Sequence, residues 1–433
     1  MRVPFDRDVI RKIIAAQPFD VRQASIREMN RLVNGIEKEL DVRFIRMEFG
    51  IPGLPTPEIA VTAEIEALRD RKVGHVYAPF DGLPELTQEA SRFAKLYMNL
   101  EIPPACCVPT VGAMEGCFAS LTLANRMHVD RHTLLFLQPG FPVNRQQARF
   151  LGMKVDGIDF YDHRGEALIG AVERRLAKGD IAAMLWSSPN NPSWIVLKEP
   201  ELEGLGRLCD AYDVLAIEDL AYFGMDVRQD YLNPGVPPYQ PTVLRYTRNG
   251  ICVVSSSKMF SYAGQRIAIA FLHPDLAERK LPDLTERLGT PLVRHAFVHG
   301  IQYPLIASVP EGPQYGLTAL LRAANAGDRS LFTPAFEYAR RAKIAKEIFL
   351  RNGFRLVYDN DLGEPLADGF YFTLSHPRFA DGADLIVELL HYGISAITLD
   401  TTGSSRKEGL RACVSLIGEE QFATLEERVR AFA

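Results

Sequence analysis

Residues 255–266 read Ser-Ser-Ser-Lys-Met-Phe-Ser-Tyr-Ala-Gly-Gln-Arg, one lysine behind three hydroxyls and an arginine eight positions further on. A lysine amine attacks a carbonyl only in its neutral form, so a Schiff-base lysine needs burial and cationic neighbours to lower its pKa. Ser255, Ser257 and Arg266 offer what a phosphate monoester takes, neutral donors and a planar fork of permanent charge. Lys258 beside such a cradle suggests a Schiff base with an aldehyde that also carries a phosphate. Taken alone, the stretch serves equally as a solvated loop with an ordinary lysine.

The elements around it decide between the two. Residues 251–254 are strand formers apart from Cys252, and they deliver the chain to a polar loop that holds Lys258. From about 60 to 330, short apolar runs alternate with helical stretches, the pattern of a mostly parallel α/β sheet covered by helices on both faces. Strands are predicted over 133–137, 153–159, 181–187, 214–218, 251–255 and 267–272, with helices over 112–127, 165–177 and 200–212. Open sheets of this kind bind ligands at the carboxyl ends of their strands. Upstream, Ile26, Met29, Leu32, Val33, Ile36 and Leu40 recur at helical spacing, while the prolines and glycines of 45–57 exclude a helix. Beyond 330 a helix is predicted over 334–351 and another over 383–392, with strands over 355–358, 369–374 and 410–416 and a terminal helix from 419. The expected division is a helical part of a small domain (1–45), an extended segment at the site (46–59), a large domain (60–330) and a small α+β domain (331–433).

A chain of 433 residues has room for two or three domains. Its formal net charge of −5 gives no basic field for nucleic acid, and no run approaches the roughly 20 apolar residues of a membrane span. No apolar leader is legible at the start. The six cysteines have neither metal-site nor disulfide-framework spacing, so no metal is expected and the thiols read as reduced, in a cytoplasmic protein. A glycine-rich dinucleotide fingerprint, a Walker loop, HExxH and GxSxG are all missing from the sequence.

Six further stretches fall where chemistry would be placed. Residues 108–117, Val-Pro-Thr-Val-Gly-Ala-Met-Glu-Gly-Cys, open a helix whose N-terminus is an anion site by construction. Gln138-Pro-Gly-Phe-Pro142 and Ser187-Ser-Pro-Asn-Asn-Pro-Ser-Trp194 each follow a strand. Leu215-Ala-Ile-Glu-Asp-Leu-Ala-Tyr222 ends a buried strand in two carboxylates. Tyr77-Ala-Pro-Phe-Asp-Gly82 and Gly409-Leu-Arg-Ala-Cys-Val-Ser415 lie near the two ends of the series.

With Lys258, and in this order, these stretches resemble the active site of class I/II aminotransferases, the aspartate aminotransferase-like, fold-type I enzymes dependent on pyridoxal 5'-phosphate (PLP). The resemblance runs from Gly50 to Arg411. It implies that Lys258 holds PLP and moves the proton at the substrate α-carbon, and that Asp219 pairs with the pyridine nitrogen. It also implies that Asn191 and Tyr222 bind the cofactor's phenolic oxygen and that Phe141 stacks on the ring. Gly112, Ala113 and Met114 would cradle the phosphate through backbone amides, with Ser255, Ser257 and Arg266, and Tyr77 would reach the phosphate of a neighbouring subunit in a homodimer. Arg411 would grip the substrate α-carboxylate, with Asn191 and the Gly50 backbone beside it. Ser193-Trp194 stands where the family has Thr-Gly, so the loop must change its path or the indole must fill space at the pocket's edge. The implied activity is amino transfer between an amino acid and a 2-oxo acid. A PLP-dependent C–S lyase or an amino acid β-decarboxylase would use the same residues.

Overall fold

The computed structural model describes residues 3 to 433, so the first two residues of the expected helical segment over 1–45 lie outside the described residues. Seven strands form the main sheet: β1 (Cys107–Thr110), β2 (Thr133–Gln138), β3 (Lys154–Asp159), β4 (Ile181–Ser187), β5 (Leu215–Leu220), β6 (Gly250–Ser255) and β7 (Ala268–Leu272). β4, β5, β6 and β7 are buried at every residue, because helices cover both faces and neither face can be polar. The spatial order is β1-β7-β6-β5-β4-β2-β3. β7 runs antiparallel to both of its neighbours and the other pairs are parallel, so β1 to β6 all end at one edge. β1 is absent from the predicted strands because Pro109 breaks its pattern; it is an edge strand, where a missing N–H is tolerated.

A second core joins the two ends of the chain. Ile10, Leu32, Val33, Ile36 and Met47 pack with Ile348, Leu385, Leu389, Leu425 and Val429, all fully or almost fully buried. A four-stranded antiparallel sheet, β8 (Arg355–Leu356), β9 (Tyr371–Ser375), β10 (Ile397–Thr398) and β11 (Leu410–Cys413), lies against it in the order β10-β11-β9-β8. The amino-terminal segment is two helices, Arg7–Ala15 and Ile26–Leu40. Ser25 starts the second with a capping box to Glu28, which satisfies backbone donors at its first turn. Strand Ile45–Arg46 pairs in parallel with Ile394–Ser395 and hands the chain to the extended segment that crosses the edge where β1 to β6 end.

Candidate active site

Ser255 ends β6 and caps a single turn, Ser256–Met259, its Oγ accepting the Ser257 N–H at 3.2 Å. Lys258 therefore stands on one helical turn rather than in the open loop expected, and Ser256 Oγ fixes that turn by donating to the Ile267 carbonyl at 2.6 Å. Lys258 Nζ donates to the Gly50 carbonyl at 2.7 Å and lies 5.7 Å from the centre of the Phe370 ring. Burial lowers its pKa to about 8, helped by Arg266 and Arg411 and opposed by Cys413 and Asp219. About a tenth of the amine is then neutral at pH 7.

Asp219 stands on the neighbouring strand, opposite Val253 on one side and Ser187 on the other. Burial pushes its carboxyl up to about 7, against the Ala221 N–H, which it accepts at 3.0 Å, and the Lys258 charge. Its second oxygen has no hydrogen-bond partner among the described residues, so a cation placed there would meet an unsatisfied acceptor. The adjacent Glu218 alternates to the other face of the sheet and is held by Thr242 Oγ1 at 2.5 Å and Val243 N–H at 3.0 Å.

Arg411, on β11, is fully buried. Its Nη2 donates to the Glu48 carbonyl at 2.5 Å, Nη1 comes within 3.5 Å of Asn191 Oδ1, and Nε is buried with no partner. Tyr371 stacks beneath it, the guanidinium carbon 4.8 Å from the ring centre. Asn191 is held by its backbone N–H to Ser187 Oγ at 3.2 Å, and Asn190 Nδ2 donates to the Pro139 carbonyl at 2.8 Å, which ties this loop to the one carrying half-buried Phe141. Tyr222 donates its hydroxyl to Tyr371 at 2.8 Å.

The first turn of helix Gly112–Met127 has no side-chain cap, leaving the amides of Gly112, Ala113 and Met114 for an anion. Gly112 has φ +70°, and a side chain there would collide with the Arg266 guanidinium, which lies against that helix start. Met114 turns its side chain to solvent. A cradle that only glycine leaves open, a free carboxylate oxygen and an orphaned guanidinium nitrogen together fit PLP and an amino acid carboxylate. Tyr77 is the one expected site residue that the chain does not bring to the others: it is 83% exposed, as its neighbours Val76 and Phe80 are exposed too.

The extended segment is stitched over these groups. Glu48 O meets Arg411, Gly50 O meets Lys258, the Gly53 N–H donates to Tyr338 at 3.0 Å and Thr56 Oγ1 donates to Ser261 O at 2.7 Å. A side chain at Gly50 would collide with the Tyr371 hydroxyl. Gly50→Ala is therefore expected to cost about 1–3 kcal/mol of stability by overpacking. Adding Tyr371→Phe should recover part of that loss, measured by denaturant titration of both variants.

Trp194 keeps the left-handed backbone that suits glycine, at φ +62°. Its indole is 1% exposed and packs edge-on to Tyr222 at 5.2 Å and Tyr371 at 6.2 Å, over a position where Gly369 leaves room. The strain is about 1–2 kcal/mol, whereas emptying a buried indole site costs about 3–5 kcal/mol. Packing outweighs the strain, and the indole fills the space, its Nε1 buried without a partner. Sequence reasoning missed Tyr371 and Glu48. Tyr371 sits in Gly-Phe-Tyr-Phe, which reads as core strand, and Glu48 acts through its carbonyl, which no side chain announces.

Residues 44–294 match the family described as aminotransferase class I and II. The chain is 22% identical over 380 residues to a probable aspartate aminotransferase of Methanocaldococcus jannaschii, covering 87% of this chain and 88% of the relative. It is 26% identical over 229 residues to the aspartate/prephenate aminotransferase of Thermus thermophilus, covering 53% and 56%. Among solved structures it is similar to the Thermus thermophilus aspartate aminotransferase with maleate, at a TM-score of 0.77 and 20% identity over 98% of this chain and 99% of that one. An N-succinyldiaminopimelate aminotransferase of Mycobacterium tuberculosis gives 0.74 and 16% over 97% and 99%.

Proposed function

The chain belongs to the class I and II aminotransferases, PLP-dependent enzymes that move an amino group between an amino acid and a 2-oxo acid, and on that premise we propose that Lys258 is the residue that carries the cofactor and does the proton chemistry. The observation that supports it most strongly is the lysine's setting: an amine lowered to about 8, near Asp219, Arg266 and Arg411. When bound, PLP supplies the ring that takes up the electron pair left as the α C–H bond breaks.

The residues of this chain do the rest. Arg411 binds the α-carboxylate, and the incoming carboxylate satisfies the buried Nε. Asn191 stands beside that pair and also faces the cofactor's phenolic oxygen with Tyr222. Lys258 Nζ then takes the proton from the α-carbon and returns it on the other side of the reaction. Asp219 would pair with the ring nitrogen and keep the proton on it, and Phe141 would stack on the ring. The amides of Gly112, Ala113 and Met114, with Ser255, Ser257 and Arg266, bind the phosphate; Ser255 Oγ also caps the turn that carries Lys258, which leaves its O–H free to donate. The segment over 46–59 excludes water from above, between a large domain (60–330) and a small domain formed by 331–433 with 1–45.

The protein is a homodimer on this reading. Val76, Tyr77, Phe80 and Tyr303 are exposed, and Phe80 packs against Tyr303 with ring centres 4.9 Å apart; a second copy would cover these apolar groups, and Tyr77 would then reach the partner's phosphate site. No helix among the described residues is long and apolar enough to cross a membrane. The six cysteines are buried free thiols, in keeping with a reducing cytoplasm.

The relatives' names span aspartate, prephenate, LL-diaminopimelate and glutamate-pyruvate, so what they share is the α-amino and α-carboxylate pair that Lys258 and Arg411 would handle. The test is a panel of amino donors against 2-oxo acid acceptors on purified protein. Strict dependence on both partners is the expected result; turnover of one amino acid without any acceptor would favour the lyase or β-decarboxylase chemistry.

A further inference from the structure

Tyr371 lies on β9 opposite Cys413, among the residues assigned to both ends of the site. Its hydroxyl accepts the Tyr222 hydroxyl at 2.8 Å, its ring lies 4.8 Å from the Arg411 guanidinium carbon, and the Gly50 backbone closes on its oxygen. Trp194 packs edge-on to both phenol rings, which themselves meet edge to face with centres 5.5 Å apart. Both phenols are almost fully buried, and burial raises both pKa values, so both keep their protons. A phenol has one proton to give. Tyr222 directs its proton to Tyr371, while no acceptor among the described residues takes the proton of Tyr371.

We propose that Tyr371 is a positioning residue that competes with the cofactor's phenolic oxygen for the Tyr222 proton, and so sets how strongly Tyr222 polarises that oxygen. The proposal rests on the assignment of Tyr222 to that oxygen. A proton donated to the phenolic oxygen weakens the hold of the Lys258 nitrogen on its own proton, because it draws away the negative charge that stabilises it. Removing the competitor frees the Tyr222 hydroxyl to turn to the cofactor.

The experiment is a pH titration of the visible absorption band of the PLP-loaded protein, for the unsubstituted chain, Tyr371→Phe, Tyr222→Phe and the double variant. Tyr371→Phe is expected to lower the midpoint by about half a unit, a roughly threefold weaker hold on the proton. Tyr222→Phe should raise it, and the double variant should match Tyr222→Phe alone, since Tyr371 acts only through Tyr222. A midpoint that does not fall in Tyr371→Phe, or a fall that persists when Tyr222 is already Phe, overturns the proposal. Failure of borohydride to fix PLP on Lys258 of the unsubstituted protein overturns the Lys258 assignment itself and this proposal with it; a band fixed on Lys258 whose midpoint does not move overturns this proposal alone.

Discussion

Lys258→Ala is expected to lower kcat/KM for amino transfer by about 10,000-fold or more. A positioned acid–base group alone contributes about 100- to 10,000-fold, and Lys258 also fixes the cofactor. Folding should survive, because the amine makes one hydrogen bond, to Gly50 O, worth about 1.5–3 kcal/mol for a charged donor, and its removal also relieves the cost of burying that charge. That bond is one of the stitches holding the extended segment. Amide exchange over residues 48–56 should therefore quicken in the cofactor-free variant while the sheet stays protected. A loss of activity accompanied by loss of protection in β4, β5 and β6 would mean that the lysine is structural.

Asp219→Ala is expected to lower kcat by about 100- to 1,000-fold with little change in KM, the size of effect seen when one preorganised charge is removed from a reacting site. The same residue sets a pH dependence in the cofactor-free protein. Its pKa rises from 3.8 to about 7 on folding, so between those values the folded state holds a proton that the unfolded state has released. Stability then falls as pH rises through that window, by about 1.4 kcal/mol per unit for this group. Asp219→Asn should remove that share of the slope, leaving the shares of Glu115 and Glu218, which burial also raises to about 7. In the loaded protein a protonated ring nitrogen would pull the Asp219 pKa back down, and its share should shrink. Urea titrations at pH 5, 6 and 7, with and without PLP, check all three statements.

What the sequence disclosed follows from how each residue acts. β4, β5 and β6 were legible because a strand buried on both faces must be a continuous apolar run, and the site residues at their ends followed from that placement. β1 was illegible because Pro109 is permitted only by its place at the sheet edge, which is a property of the fold. Asp219 could be separated from Glu218 by the family's spacing before the alternation of β5 put them on opposite faces. Tyr371 could not be found, because its hydroxyl matters through Tyr222, 149 positions away, and its own segment is apolar on both sides. That the Trp194 indole fills buried space could not be read from sequence, because it depends on Gly369, far along the chain, leaving room for it.

The most direct measurement is to incubate the purified protein with PLP, reduce it with borohydride, digest it and locate the pyridoxyl group by mass spectrometry. The account predicts one modified residue, Lys258, and no label in Lys258→Ala. A label on any other lysine, or none in the unsubstituted protein, would contradict it.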